Sequence, residues 1–164
     1  MNEDEYLKLD NQLCFVLYAA SRVLTRLYGP FLAKLNLTYP QYLVMLVLWE
    51  NESLNVGDIG TLLYLDSGTL TPLLKRLEAQ GLISRKRLST DERKVMISLT
   101  ETGKAMKRDA IRVPLELFCR SGLTLEEFLS IKQNVGKLLD RMKEAAESKE
   151  PDTGQKAHPQ TDGC

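Results

Sequence analysis

The sequence predicts a mainly α-helical protein carrying one small β-hairpin. Apolar residues recur at helical spacing in successive segments from Leu9 to about Ala146. Two short runs, Leu82 to Leu88 and Lys94 to Leu99, flank a polar turn, and the second alternates Val95, Ile97 and Leu99 with Lys94, Met96 and Ser98. That alternation is a hairpin pattern. A helix, a short helix, a tight link and a further helix come immediately before it, which is the order of a helix-turn-helix unit. A hairpin after such a unit makes it a winged helix-turn-helix.

Taken in order, Leu13, Leu17, Ala20, Leu24 and Leu27 mark a first helix from Leu9 to Tyr28, which Gly29-Pro30 is expected to close. Phe15, Val16 and Val23 widen its apolar surface, so it should pack on more than one neighbour. TYPQYLVMLVLWE follows, with Thr38 and Gln41 at capping-box spacing, as a buried second helix. Asn55 is the expected cap of a short third helix, and LDSGTLTPLLKRLEAQG gives a fourth that ends at Gly81. Beyond the hairpin, residues 101 to 119 read as one helix interrupted by Pro114, and Thr124 with Glu127 caps a last helix to about Ala146. On that helix Phe128, Ile131, Val135, Leu138 and Met142 are spaced as a coiled-coil seam, which wants a partner helix. The expected organisation is a helical dimerisation region from 6–36 and 101–147, a winged helix-turn-helix from 37–100, and a disordered tail at 148–164.

Composition limits the functions available. The 164 residues carry 22 Lys plus Arg against 22 Asp plus Glu, so no global charge bias points to nucleic acid or membrane. The acidic start MNEDEYLKLD and the lack of a long apolar run predict a cytoplasmic protein without a membrane partner. Cys14, Cys119 and Cys164 are far apart and form no CxxC, which disfavours a zinc site or a disulfide framework and implies no metal or cofactor.

Local charge is more telling. On the fourth helix Leu70, Leu73, Leu74 and Leu77 share one face, leaving Gly68, Thr69, Thr71, Pro72, Lys75 and Arg76, with Ser67 before them, free to enter a major groove. Pro72 should distort the first turn. Between Lys75 and Lys94 seven cations (Lys75, Arg76, Arg85, Lys86, Arg87, Arg93, Lys94) face three acids (Glu78, Asp91, Glu92), an excess of +4 in a neutral chain. Arg93 in the hairpin turn suits a narrow minor groove, with Asp91 placed to hold it or the turn. By itself such a cluster would read as solvated surface; its winged-helix setting favours double-stranded DNA.

The stretch DERKVMISLTETG carries the spacing Asp91, Arg93, Leu99, Thr100, Gly103, and with it the chain resembles the MarR family of winged-helix transcription regulators. LDNQLCFVLYAASR, NLTYPQYLVMLVLWE and LYLDSGTLTPLLKRLE are similar to its organic-hydroperoxide-sensing branch, the OhrR repressors. The resemblance implies a homodimer that binds a pseudo-palindromic operator and lets go when a cysteine near the start of the first helix, here Cys14, is oxidised. It also implies that Tyr18 and Tyr28 steady the reactive thiolate, and that Cys119 is placed like the second cysteine with which some members form an inter-subunit disulfide.

The residues support this beside the resemblance. Cys14, Tyr18, Ser21, Thr25 and Tyr28 form one polar and aromatic stripe on an otherwise apolar helix. Tyr18 is one turn from Cys14, whereas Tyr28 lies about 21 Å along the helix, so a Tyr28 that serves Cys14 must come from a second subunit. With Asp10 or Asn11 as cap, Cys14 falls near the first turn, where the positive helix end favours an anion. Isolated from this context, a cysteine among Leu13, Phe15 and Val16 would read as a small buried hydrophobe and Cys119 as an inert helix-end residue; Cys164 reads as a bystander, though its place on a tail leaves it, like a small-molecule thiol, open as the resolving partner. Two other readings remain: a repressor released by a small phenolic ligand, and a cysteine peroxidase, which the lone tail histidine His158 and missing CxxC disfavour. The apolar neighbours Phe15, Val16 and Leu17 favour organic hydroperoxide as the oxidant.

Overall fold

A computed structural model describes residues 3–88 and 91–148, with the side chains of residues 3 and 88–93 outside that description. The expected disordered tail, Cys164 and His158 therefore lie almost wholly outside the described residues. The chain forms two compact units, Met1–Ser121 and Gly122–Cys164.

In the first unit two 3-10 turns, Glu3–Leu7 and Leu9–Asn11, lead into α1 (Leu13–Lys34). The N-cap position of α1 falls on Gln12, not Asp10 or Asn11: residues 9–11 are taken up in the second 3-10 turn, and the Asn11 and Gln12 side-chain amides donate to the carbonyls of Glu5, Tyr6 and Lys8. Nor does Gly29-Pro30 close the helix. Pro30 has no N–H to offer the Arg26 carbonyl, but Phe31 and Leu32, 9% and 2% exposed, lie one step further on and pull the helix into the core. The chain turns at Asn36 (φ 53°), and Thr38 starts α2 (Tyr39–Asn51), its N–H donating to the Gln41 side-chain carbonyl at 2.8 Å as the capping spacing predicts. Helix α2 is the centre of the unit: Gln41, Tyr42, Val44, Met45, Leu48 and Trp49 are all buried.

A strand absent from the sequence expectation, β1 (Ser53–Asn55), precedes α3 (Val56–Leu63), whose cap is Asn55 accepting the Asp58 N–H at 2.9 Å. Helix α4 (Ser67–Ala79) follows, then β2 (Ile83–Leu88) and β3 (Asp91–Leu99), which starts earlier than the expected Lys94. Strand β3 lies between the other two in an antiparallel sheet, pairing Leu54 with Ile97 on one side and Arg85 with Ile97 on the other. Three residues of β1 are too few to show alternation, which is why the sequence hid it.

After the sheet, α5 (Glu101–Ala110) and α6 (Val113–Ser121) replace the single expected helix over 101–119. Pro114 starts a helix here and does not kink one: the break falls at residues 111–112, leaving the proline in the first turn of α6, where its missing N–H costs nothing. Val113 and Leu117 then tuck α6 into the core.

The second unit is α7 (Leu125–Glu147), capped by Thr124 and Glu127 as expected. It buries no residue; Phe128, Ile131, Val135 and Met142 are 38–56% exposed along the expected seam.

Candidate nucleic-acid interface and thiol site

Helix α4 buries one side and exposes the other. Asp66 caps it, accepting the Thr69 N–H at 2.9 Å and hydroxyl at 2.8 Å, and the Thr69 bonds hold its carboxyl below the usual range. Pro72, expected to distort the first turn, sits inside an unbroken α-helix, and the Thr71 hydroxyl donates to the Ser67 carbonyl at 2.7 Å beside it. Leu70, Leu74 and Leu77 are buried and Leu73 half-buried, so the predicted apolar face is the inner one. Ser67, Gly68, Thr69, Pro72, Lys75 and Arg76 are exposed and Thr71 half-buried, as a groove-reading face requires. The helix ends in a Schellman turn: Gly81 (φ 70°) donates to Glu78 and Leu82 to Leu77.

That turn meets the residues of the Leu-Thr-x-x-Gly spacing. Thr100 donates its hydroxyl to the Gly81 carbonyl at 2.6 Å and its N–H to Leu82 at 3.1 Å, while accepting the Gly103 N–H at 3.0 Å. Gly103 in turn accepts the Trp49 indole N–H at 2.9 Å, and a Cβ there would lie 2.0 Å from the Leu82 carbonyl oxygen. Leu99, Thr100 and Gly103 thus weld the end of α4, the root of the hairpin and α5 together. Lys86 and Arg87 are exposed on β2, but Arg85 is turned toward Glu78, with Nη1 3.6 Å from Oε2. The side chains of Asp91 and Arg93 lie outside the described residues.

Cys14 is the second residue of α1, exposed, and so is Tyr18, over whose ring the Arg22 guanidinium lies at 5.6 Å. Thr25 donates its hydroxyl to the Ser21 carbonyl. Tyr28 belongs to another cluster, its ring 4.9 Å from Tyr39 and 5.8 Å from Tyr42. Burial, and then the neighbouring Tyr39 and Tyr42, push its phenol up to about 12, so it stays a neutral O–H donor. Tyr39 and Tyr42 were missed from the sequence, although their spacing of three within one helix was the available sign. Cys119 is exposed near the end of α6. Among the described residues no group of His, Cys, Asp and Glu is placed to hold a metal ion, and no single helix is long and apolar enough to cross a membrane.

A helix-turn-helix with a three-stranded wing and a cationic outer face defines the class of winged-helix regulators. Residues 26–110 match the family described as "Transcriptional regulator SarA/Rot". The chain is 52% identical over 141 residues, 86% of its own length and 96% of the relative's, to the "Organic hydroperoxide resistance transcriptional regulator" of Bacillus subtilis. It superposes on reduced, DNA-bound AbfR of Staphylococcus epidermidis with a TM-score of 0.75 at 35% identity, covering 88% of this chain and 99% of that one. Against disulfide-formed AbfR the score is 0.58 at 36% identity, with 84% and 96% covered. Against a cysteine-to-serine mutant of Escherichia coli MarR complexed with operator DNA it is 0.70 at 25% identity, with 77% and 93% covered. The chain belongs to the MarR family of winged-helix transcription regulators, in its organic-hydroperoxide branch. Its relatives are regulators, not enzymes.

Proposed function

We propose that the protein is a redox-sensing repressor whose dimer holds a pseudo-palindromic operator and releases it when organic hydroperoxide oxidises Cys14. The observation that carries this is an exposed cysteine at the second position of a helix that also bears Tyr18 one turn on, in a chain so close in sequence to an organic hydroperoxide resistance regulator. The Cys14 thiolate attacks the distal peroxide oxygen, the O–O bond breaks, and sulfenic acid and an alcohol result. A thiol then displaces water from the sulfenic acid to give a disulfide. Cys119 of the partner subunit is the thiol favoured, and the disulfide-formed AbfR structure is a precedent for such an end state in a relative.

Tyr28 supports a sensor shared between subunits. It is too far along α1 to reach its own chain's sulfur, and as a neutral phenol it is suited to donate to a thiolate presented by a second copy. The exposed seam of α7 and the exposed apolar residues Leu13, Val16, Val23 and Leu24 of α1 are the surfaces such a dimer would cover. DNA would meet the outer face of α4 with Lys75 and Arg76, and the wing with Lys86 and Arg87 and, from the sequence pattern, Arg93 with Asp91.

The test is a gel shift on the promoter region beside the gene, with stoichiometric cumene hydroperoxide and no added thiol. Wild type should release DNA and Cys14→Ser should not, and retention by Cys119→Ser assigns it the resolving role. Release by Cys14→Ser, triggered instead by a phenolic ligand, would replace this reading with ligand sensing.

A further inference from the structure

Of the cations along α4 and the wing whose side chains are described, one is oriented unlike the others. Lys75, Arg76, Lys86, Arg87 and Lys94 are exposed, whereas the Arg85 side chain is only 25% exposed. Residues directly opposite in an antiparallel pair share a face, and neighbours along a strand alternate. Arg85 faces Ile97, which is 0% exposed, and shares its side of β2 with Ile83 at 2%. Its guanidinium therefore starts out toward the domain interior. Lys86, opposite Met96, points the other way.

What meets Arg85 on that side is α4. Its Nη1 stands 3.6 Å from Oε2 of Glu78, and its Nε is buried with no hydrogen-bond partner among the described residues. Glu78 sits on the same helix as Lys75 and Arg76, just before the Gly81 turn that leads into β2. The Thr100 hydroxyl and N–H already tie the turn to the end of β3, so the ion pair adds a further tie between the reading helix and the wing strand, nearer the wing's free end. We infer that Arg85 is a positioning residue and not a phosphate contact: held by Glu78, it sets the angle at which the wing leaves α4. This rests on the DNA-binding reading above.

Salt dependence separates the two roles, since each phosphate contact adds about 0.9 to the slope of log affinity against log salt on B-DNA. Arg85→Gln, Glu78→Gln, the double variant, Lys86→Gln and Arg87→Gln are titrated by fluorescence anisotropy against a labelled duplex from the promoter region of the protein's own gene. Thermal unfolding is followed in parallel so that affinity is compared only between folded proteins. Lys86→Gln and Arg87→Gln should each lower the slope by about 0.9 per engaged subunit. Arg85→Gln should weaken binding about two- to fivefold, the range open to a partly exposed ion pair, with the slope unchanged. Glu78→Gln is decisive by its sign. Removing an acid from a DNA-facing surface should tighten binding if charge alone acts, but should weaken it as Arg85→Gln does if the pair positions the wing. The double variant should then be no worse than either single one. A lower slope in Arg85→Gln together with tighter binding by Glu78→Gln would overturn the assignment and make Arg85 a phosphate contact. If wild type shows no salt-dependent binding, the DNA reading falls and takes this assignment with it.

Discussion

Replacing Gly103 by alanine tests the joint between wing and core. In an exposed helix interior the change should stabilise by about 1 kcal/mol, because alanine is the better helix former. Here the new methyl would stand 2.0 Å from the Leu82 carbonyl oxygen and 3.2 Å from a Leu99 methyl, and ordinary contact begins at 3.4 Å. The carbonyl is not free to yield, since it accepts the Thr100 N–H at 3.1 Å, and Gly103 itself is held by Trp49 and Thr100. Overpacking against such a neighbour costs about 3 kcal/mol, the upper end of its usual range. A lost hydrogen bond adds about 1. After the propensity gain the net loss is about 3 kcal/mol, or roughly 6–12 °C in Tm for a chain of this size. Urea unfolding followed by far-ultraviolet circular dichroism measures it, with Gly136→Ala in α7, where a methyl meets nothing within 4 Å, as the comparison. A Gly103→Ala protein as stable as wild type would refute the reasoning.

Three further outcomes are expected. Val135→Glu, placing a charge in the middle of the exposed α7 seam, should convert the proposed dimer to a single chain in sedimentation equilibrium; an unchanged mass would remove α7 from the interface. Leu74→Ala, at a core position 1% exposed behind the reading helix, should cost about 2–5 kcal/mol in urea unfolding and reduce DNA binding at temperatures near the new midpoint. For the tyrosine cluster the sign follows from a folded-state value raised above the unfolded 10.0: Tyr28, at about 12, favours the folded state fully below pH 10 and loses that contribution as pH rises toward 12, with Tyr39 and Tyr42 shifted the same way. The urea midpoint should therefore fall between pH 10 and 12 and fall less in Tyr28→Phe.

Periodicity and capping carried most of the fold into the sequence. Thr38, Asn55, Thr124 and Gly81 mark ends that the structure keeps, because a cap needs only its own few residues to act. What escaped was decided by contacts distant in sequence. Gly29-Pro30 reads as a stop until Phe31 and Leu32 are seen to have a core to enter, and β1 exists only because β3 lies beside it. The buried face of α4 was legible from its wheel, since one helix side must be buried. The orientation of Arg85 was not, because charge counts in a sequence give no direction, and it follows from a strand register that pairs Arg85 with Ile97. Tyr39 and Tyr42 looked like ordinary aromatics of a buried helix until Tyr28 came to rest against them.

Helix α1 has a mechanical character of its own. From Leu13 to Pro30 none of its residues is fully buried; its side chains join the core at the far end, where Tyr28 rests against Tyr39 and Tyr42, and Phe31 and Leu32 enter the cluster that also holds Leu70, Leu74 and Leu77 of α4. Within one chain it is a beam anchored from Tyr28 onward, with Cys14 about 21 Å from the first anchored residue, and the hydrogen bond that Pro30 cannot make falls inside the anchored end. Under the proposed thiol switch, a change at the sulfur of one chain would pass along α1 to residues that share a core with Leu70, Leu74 and Leu77 of α4.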